Sequence, residues 1–375
     1  MKKILFTVHD FYPVCGGAGE VVYRLAKRFA KAGYETTVAT QDSPFRSANK
    51  VDGIKIAPFK ISGNKVKGYQ GNSFEIRRYL DFVINSNFDV VVNYAAQNWC
   101  SDLVFENIQK IKAQKILVPC GYSHLKDPRY FFYFRWLPKI LKAYDSLVYL
   151  SRITQDFEYH QKHRLGDFVI IPNGADEEEF LGQPTVDVKE KYGIKTPYLA
   201  LCVANYFFLK GQDFVISAFN KLKREDITLV FIGQQKNNLY YNIIKWLARD
   251  NNRILFLENI QRDETVNFFK AANFFLFGSR LECSPVVMFE SFASQTLFIT
   301  RNAGNVLDFK QYLEIVDSPM AMKNALERLI ANPKACQEKV SQAYQTYLNH
   351  HTYDALFKKY QEIVETSAKI EKAGV

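Results

Sequence analysis

Short apolar runs recur along this chain, and most are followed by a loop and then by apolar positions at helical spacing. In the first half the runs lie at Ile4–Val8, Glu35–Thr40, Val90–Asn93, Lys115–Pro119, Ser146–Leu150 and Val169–Ile171. The second half has Tyr198–Val203, Thr228–Ile232, Ile254–Leu257, Asn273–Phe277 and Leu297–Thr300. Little polar alternation interrupts them, which is the pattern of strands covered on both faces. Val21, Val22, Leu25, Ala26 and Phe29 mark one face of a helix from about Glu20 to Ala32, closed by Gly33. A second helix is expected from Asp213 to Leu222, after Lys210-Gly211. Strands alternating with helices predict an α/β protein with parallel sheets.

Both halves open with strand, loop and amphipathic helix, and 375 residues suffice for two domains. The expected architecture is two doubly wound, Rossmann-like domains facing a cleft. The first would span 1–174 and the second 175–351, including an acidic, loop-rich linker at Ala175–Thr196. The stretch from about 352 to 375, with Leu356, Phe357, Tyr360, Ile363 and Val364 at helical spacing, is expected to pack back on the first domain. Ligands of open α/β sheets sit at the carboxyl ends of strands. The Gly16-Gly17 loop and the loop at Glu282 should therefore face each other.

Composition narrows the class. Hydrophobic residues make up 47% and charged residues 23%, and no apolar run approaches the roughly 18–20 residues of a membrane span. Met1-Lys2-Lys3 and the apolar residues after it read as a first strand rather than an export signal. The six cysteines are scattered without metal-ligand spacing, so a reducing cytoplasm and no metal are expected. A net charge of +10 points to an anionic partner or a solvated basic surface. No nucleic-acid-binding motif accompanies it, which leaves lipid head groups and phosphorylated substrates. Between Lys126 and Lys142, five basic residues alternate with Tyr130, Phe131, Phe132, Tyr133, Phe134 and Trp136. Such a segment suits an anionic membrane surface or a lipid-borne acceptor, although Pro138 argues against one unbroken helix and the aromatic residues also suit a core.

The chemistry concentrates after the run ending at Phe277. Glu282 and Glu290 stand eight residues apart with Pro285 between them. Proline suits the first turn of a helix, whose free N–H groups and positive dipole end receive a diphosphate. Val286 and Val287 would offer those N–H groups, while the carboxylates hold hydroxyl groups. Two carboxylates also invite a glycosidase reading. Eight residues of continuous helix span about 12 Å, beyond the roughly 5–9.5 Å of hydrolysis, but the proline and loop could shorten that.

The Glu282–Glu290 spacing resembles the donor site of the retaining glycosyltransferases of family 4, which have the GT-B fold. Other landmarks occur in the family's order. They are Phe11-Tyr12-Pro13 with Gly16-Gly17, Ile170-Ile171-Pro172-Asn173-Gly174-Ala175-Asp176, Lys210-Gly211, Phe231-Ile232-Gly233 and Asp263-Glu264. The resemblance implies transfer of a hexose-type sugar from a nucleotide-diphosphate sugar to an acceptor hydroxyl, with retention and without a metal or other cofactor. It assigns the leaving diphosphate to Lys210, the donor sugar to Glu282 and the ribose to Glu290. Gly16, Gly17, Asn205, Ser284, Val286 and Val287 complete the implied donor site. Asn205 stands where the family commonly has arginine, with Arg280 as the compensating cation. His124 is the candidate histidine facing the reacting sugar and His9 its competitor; Asn98, Trp99 and Tyr122 are expected to meet the acceptor. The implied acceptor is a glycan or a lipid-linked polysaccharide, as in bacterial surface polysaccharide synthesis, with the enzyme cytoplasmic or peripheral at the inner membrane face. Two alternatives stand beside it: a GT-B nucleotide-sugar epimerase, and a non-catalytic nucleotide-sugar-binding subunit.

Overall fold

The structure, a computed structural model, describes residues 1–13 and 16–370. Val14 and Cys15 of the glycine-rich loop, and 371–375 of the expected C-terminal helix, lie outside the described residues. The chain divides into two units, Met1–Pro172 together with the chain from Tyr353 onward, and Asn173–Thr352.

The first unit carries β1 (Lys3–Thr7), β2 (Glu35–Gln41), β3 (Lys50–Val51), β4 (Ile54–Phe59), β5 (Ser62–Asn64), β6 (Gly68–Gln70), β7 (Val90–Tyr94), β8 (Gln114–Val118), β9 (Ser146–Tyr149) and β10 (Val169–Ile170). Eight of these form a sheet in the order β10-β9-β8-β7-β1-β2-β4-β3, while β5 and β6 make a separate antiparallel hairpin. The large sheet is parallel except where β3 meets β4. Ile4, Leu5 and Phe6 are fully buried, as expected of a central strand with helices on both faces. Helix Gly17–Lys31 turns Val21, Val22, Leu25, Ala26 and Phe29 inward. Gly33, at φ +90°, ends it in a conformation that costs a glycine little. Helix Tyr353–Ile370 packs on it, with Phe357 edge-on to Phe29 at 4.9 Å and Asp354 on Arg28 at 2.7 Å.

The second unit carries β11 (Tyr198–Val203), β12 (Ile227–Ile232), β13 (Ile254–Leu257), β14 (Phe274–Phe277), β15 (Leu297–Thr300) and β16 (Glu314–Ile315). All pair in parallel, in the order β13-β12-β11-β14-β15-β16. Numbered within the unit this is 3-2-1-4-5-6, the doubly wound order whose direction reverses between β11 and β14. The stretch 175–196, expected to be loop-rich, holds helices Glu177–Phe180 and Val188–Lys191. Its Ala175, Phe180, Val188 and Ile194 are core residues of this unit.

One expectation is corrected in the basic aromatic segment. Helix Phe131–Leu141 runs through Pro138 without a break. Proline there removes the N–H that would bond the carbonyl of Phe134; the Tyr159 hydroxyl donates to that carbonyl instead. Tyr130, Tyr133 and Phe134 are core residues, whereas Phe131 and Phe132 are 58% and 79% exposed. The segment thus divides its aromatic residues between the core and the surface.

Candidate functional site

In the second unit the strand order reverses between β11 and β14, the position where ligands of doubly wound sheets bind, and the loops after those strands are neighbours. Glycines let those loops touch. A Cβ on Gly211 would lie 2.0 Å from the Gly278 carbonyl oxygen, and one on Gly278 would lie 2.1 Å from that of Gly211. Gly211 also has φ +64°. Gly233 makes the same approach to Ala204, and Gly304 to Cys283. The loops after β12 and β15 are thereby drawn against those after β11 and β14.

This packing sets the polar groups. Lys210 Nζ lies 2.7 Å from Glu282 Oε1, and Ser279 Oγ donates to the same oxygen at 2.8 Å. Both side chains keep partial access to solvent, so an anionic ligand can compete with Glu282 for the ammonium. Helix Val286–Ala293 begins four residues later, and no side chain caps it after Pro285. Its first-turn N–H groups are those a helix cannot satisfy internally. Val286 and Val287 are half-buried at that end, and Ser284 is buried with its carbonyl accepting from Asn173 Nδ2 at 2.7 Å. Glu290 is buried on the same helix and pairs with Arg262 at 2.6 Å; Arg262 also holds Glu179.

Arg280 does not supply a spare cation. It forks onto Asp213 at 2.9 and 2.6 Å, donates to the Phe208 carbonyl and stacks over the Phe208 ring at 4.0 Å. Burial raises the Asp213 carboxyl, but hydrogen bonds from Arg280 and Tyr240 outweigh it and hold the group below its usual range. This fork braces the two loops. Asn205 is exposed, with its side-chain oxygen accepting from the N–H of Gln234.

In the first unit the strand order reverses between β1 and β7. Gly16 caps helix Gly17–Lys31 without a side-chain bond, and nothing stands within 4 Å above Gly17. The neighbouring loops are strained: Ala95, Gln97, Cys120 and His124 have φ between +60° and +65°. Left-handed conformations in non-glycine residues cost of order 1–3 kcal/mol each and cluster at functional sites. Gln97 ties the two loops through Ser123, donating at 2.8 Å and accepting at 2.7 Å.

Two expected acceptor contacts, Trp99 and Tyr122, are corrected. Trp99 is wholly buried, so it presents no face to a ligand. Asn98 caps helix Trp99–Glu106, its side chain accepting from Ser101 N–H and donating to Ala95. Tyr122 is buried edge-on to Phe134 and Tyr159, in the aromatic core. Trp99 and Tyr122 thus support the loops from within the core, while Asn98 stays half-buried at the helix start. His124 is partly exposed, stacked on Tyr130 at 4.8 Å and 3.6 Å from Asp127. Ser279 and Asp213 carry no motif that distinguishes them in the sequence; Arg262 had a signal, directly before the Asp263-Glu264 landmark. Among the described residues no cluster of three or more His, Cys, Asp or Glu side chains could hold a metal.

Residues 186–346 match the family model described as glycosyl transferases group 1, and residues 15–179 match that described as glycosyltransferase family 4. Among curated proteins, none matches the sequence. The fold is shared with solved structures. Sucrose-phosphate synthase from Thermosynechococcus elongatus has a TM-score of 0.81 at 15% identity, covering 99% of this chain and 100% of its own. A glycosyltransferase from Rickettsia africae has 0.80 at 16%, covering 97% and 98%. Anabaena HepE, solved with UDP and glucose, has 0.79 at 14%, covering 98% and 100%.

Proposed function

Because this chain belongs to the group 1, family 4-like glycosyltransferases of the GT-B fold, we propose that it is a retaining hexosyltransferase. It moves the sugar of a nucleotide-diphosphate donor to a hydroxyl of a glycan or lipid-linked acceptor. The observation that carries this reading is the triad of Lys210, Glu282 and Ser279 beside an uncapped helix at the reversal of a 3-2-1-4-5-6 sheet.

The chemistry follows from these groups. The diphosphate lies against the N–H groups of Val286 and Val287 and draws Lys210 from Glu282. Lys210 stabilises the charge that grows on the diphosphate as the sugar C1–O bond breaks. Glu282, released from its ion pair, accepts hydrogen bonds from donor-sugar hydroxyls, and Glu290 accepts from the ribose. The acceptor hydroxyl attacks C1 from the departing face, and its proton passes to the leaving diphosphate oxygen. No protein nucleophile is consumed. Anabaena HepE was solved with UDP and with UDP-glucose, which puts uridine donors first among those to test.

The acceptor side is read as lipid-borne. A cavity of about 470 Å³ opens between the aromatic helix and helix Gln155–His163, with Phe131, Phe134 and Tyr159 as apolar wall, Arg135 and Lys162 as cations, and the Glu158 carboxylate on the same lining. No helix among the described residues is long and apolar enough to cross a membrane, so contact with an anionic leaflet at the cytoplasmic face would be peripheral. A thermal-shift series with UDP, GDP, ADP, dTDP and their sugars tests the donor reading. A nucleotide at 100 times its Kd adds about 2.7 kcal/mol. No shift with any of them would refute the donor site.

A further inference from the structure

Helix Asn238–Ala248 of the second unit has two apolar faces. One turns Tyr240, Ile244 and Ala248 into the core. The other carries Leu239, Ile243 and Trp246, whose i, i+4 and i+7 spacing sets them in one row, at 73%, 45% and 61% exposure. The fold does not need that row, because the buried face already anchors the helix and an outward face is ordinarily polar. A contiguous row of exposed apolar side chains marks a surface that meets something else.

The neighbouring charges define what it fits. From Gln234 to Arg249 the chain carries three cations, Lys236, Lys245 and Arg249, all exposed, and neither Asp nor Glu. Arg249 stacks over the Trp246 ring at 4.2 Å, which places a cation on the indole itself. The carboxylates of Asp213 and Glu258 accept from Tyr240 and Tyr241 of this helix, not from the outward row. Asp250, just past the helix, lies 3.4 Å from Arg249, so the face keeps a net positive charge. Tryptophan and aliphatic side chains beside cations suit the head-group boundary of an anionic bilayer. The helix has 11 residues, too few to cross one. A second copy of the chain fits this face less well, since an isologous contact would set its cations against their own copies.

We infer that the outward face of helix Asn238–Ala248 seats Leu239, Ile243 and Trp246 in an anionic leaflet, with Lys236, Lys245 and Arg249 among the lipid phosphates. The inference goes beyond the sugar-transfer reading. It requires neither the cavity nor the exposed phenylalanines of the first unit.

Tryptophan fluorescence of the full chain tests it. Of the three tryptophans, Trp99 is wholly buried and Trp136 partly so. In Trp136→Phe the exposed indole is therefore that of Trp246. Vesicles of phosphatidylglycerol and phosphatidylcholine with brominated acyl chains should quench it and shift its emission to the blue, and pure phosphatidylcholine should do so less. Leu239→Gln with Trp246→Gln should keep Tm, as both side chains are exposed, and lower the vesicle partition coefficient by about tenfold. Quenching that survives Phe131→Ser with Phe132→Ser would uphold the inference apart from the membrane reading of the first unit. Vesicle-bound protein with Trp246 unquenched would overturn it and leave contact to the first unit alone. An unchanged partition coefficient in the glutamine pair, equal quenching by pure phosphatidylcholine, or no binding of the unaltered chain would each overturn it. A lipid-free dimer that the glutamine pair converts to monomer would overturn it as well, by assigning the row to self-association.

Discussion

The contact between Gly211 and Gly278 can be tested by separating its two costs. Replacing Gly211 with alanine forces a side chain into φ +64° and places its Cβ 2.0 Å from the Gly278 carbonyl oxygen. Gly193 in the same unit has φ +65° with nothing within 4 Å, so Gly193→Ala carries only the backbone penalty, about 1–2 kcal/mol. Gly278 has no left-handed φ but meets Gly211 at 2.1 Å, so Gly278→Ala carries only the clash. Both oxygens belong to the backbone, and relief requires the loops to part by more than an ångström to reach ordinary contact. A change of that kind belongs with overpacking, about 1–3 kcal/mol and occasionally more. Gly211→Ala should therefore cost about 3–4 kcal/mol, near the sum of the other two. For a unit of this size about 1 kcal/mol moves Tm by roughly 2–4 °C. Calorimetry should thus show a small drop for Gly193→Ala and the largest for Gly211→Ala. The parted loops carry Lys210 and Glu282, so Gly211→Ala and Gly278→Ala should also weaken nucleotide binding, and Gly193→Ala should not. A Gly278→Ala protein with unchanged Tm and unchanged nucleotide affinity would refute the close approach.

Three further outcomes are expected. Glu282→Gln should keep its fold, because Ser279 and Lys210 can still donate to the amide oxygen, while losing turnover; Lys210→Met should lower kcat by about 10²–10³-fold, and normal rates in either variant would remove that residue from the site. Asp102 is fully buried and accepts from Tyr133 and the Lys65 N–H, and burial pushes its carboxyl up to about 6. Its folded value lies above the unfolded one, so the stabilisation is complete below about pH 4 and is lost as pH rises through about 6, on the order of 3 kcal/mol; urea unfolding of Asp102→Asn should show a flatter pH profile, and an identical profile would contradict the assignment. Phe131→Ser with Phe132→Ser should reduce co-sedimentation with vesicles containing anionic lipid without lowering Tm, as both rings are exposed; undiminished sedimentation would discard the membrane reading.

Much of the α/β pattern was legible because the central strands are short, apolar and doubly covered. Leu199–Cys202 and Phe274–Phe277 announce themselves for that reason, and the Lys210-Gly211 and Glu282–Glu290 landmarks lie in loops directly after such strands. The edge strands β10 and β13 were legible too, but β4 and β16 were not. In β4, Pro58 interrupts an otherwise strand-like run, but it pairs with Thr40 of β2 beyond the part of β4 that β3 covers, where a missing N–H is tolerated. Strand β16 is too short and too polar to stand out, and it is held by its register against Ile299 and Thr300.

The sequence alone was enough for the main alternation of strands and helices, the doubly wound class and the family landmarks, since these depend on residues near one another in the chain. Partner choice was different. Whether Arg280 faces a ligand or Asp213, whether Trp99 meets an acceptor or the ring of His9, and which donor takes the place of the N–H missing at Pro138 all depend on segments brought together by tertiary packing. His9 and Trp99 are 90 residues apart in sequence, and Arg280 and Asp213 are 67 apart. A motif names the residue types available to a site. Only the packing of buried loops, where each polar group must find a partner once water is removed, decides which of them remain free to bind.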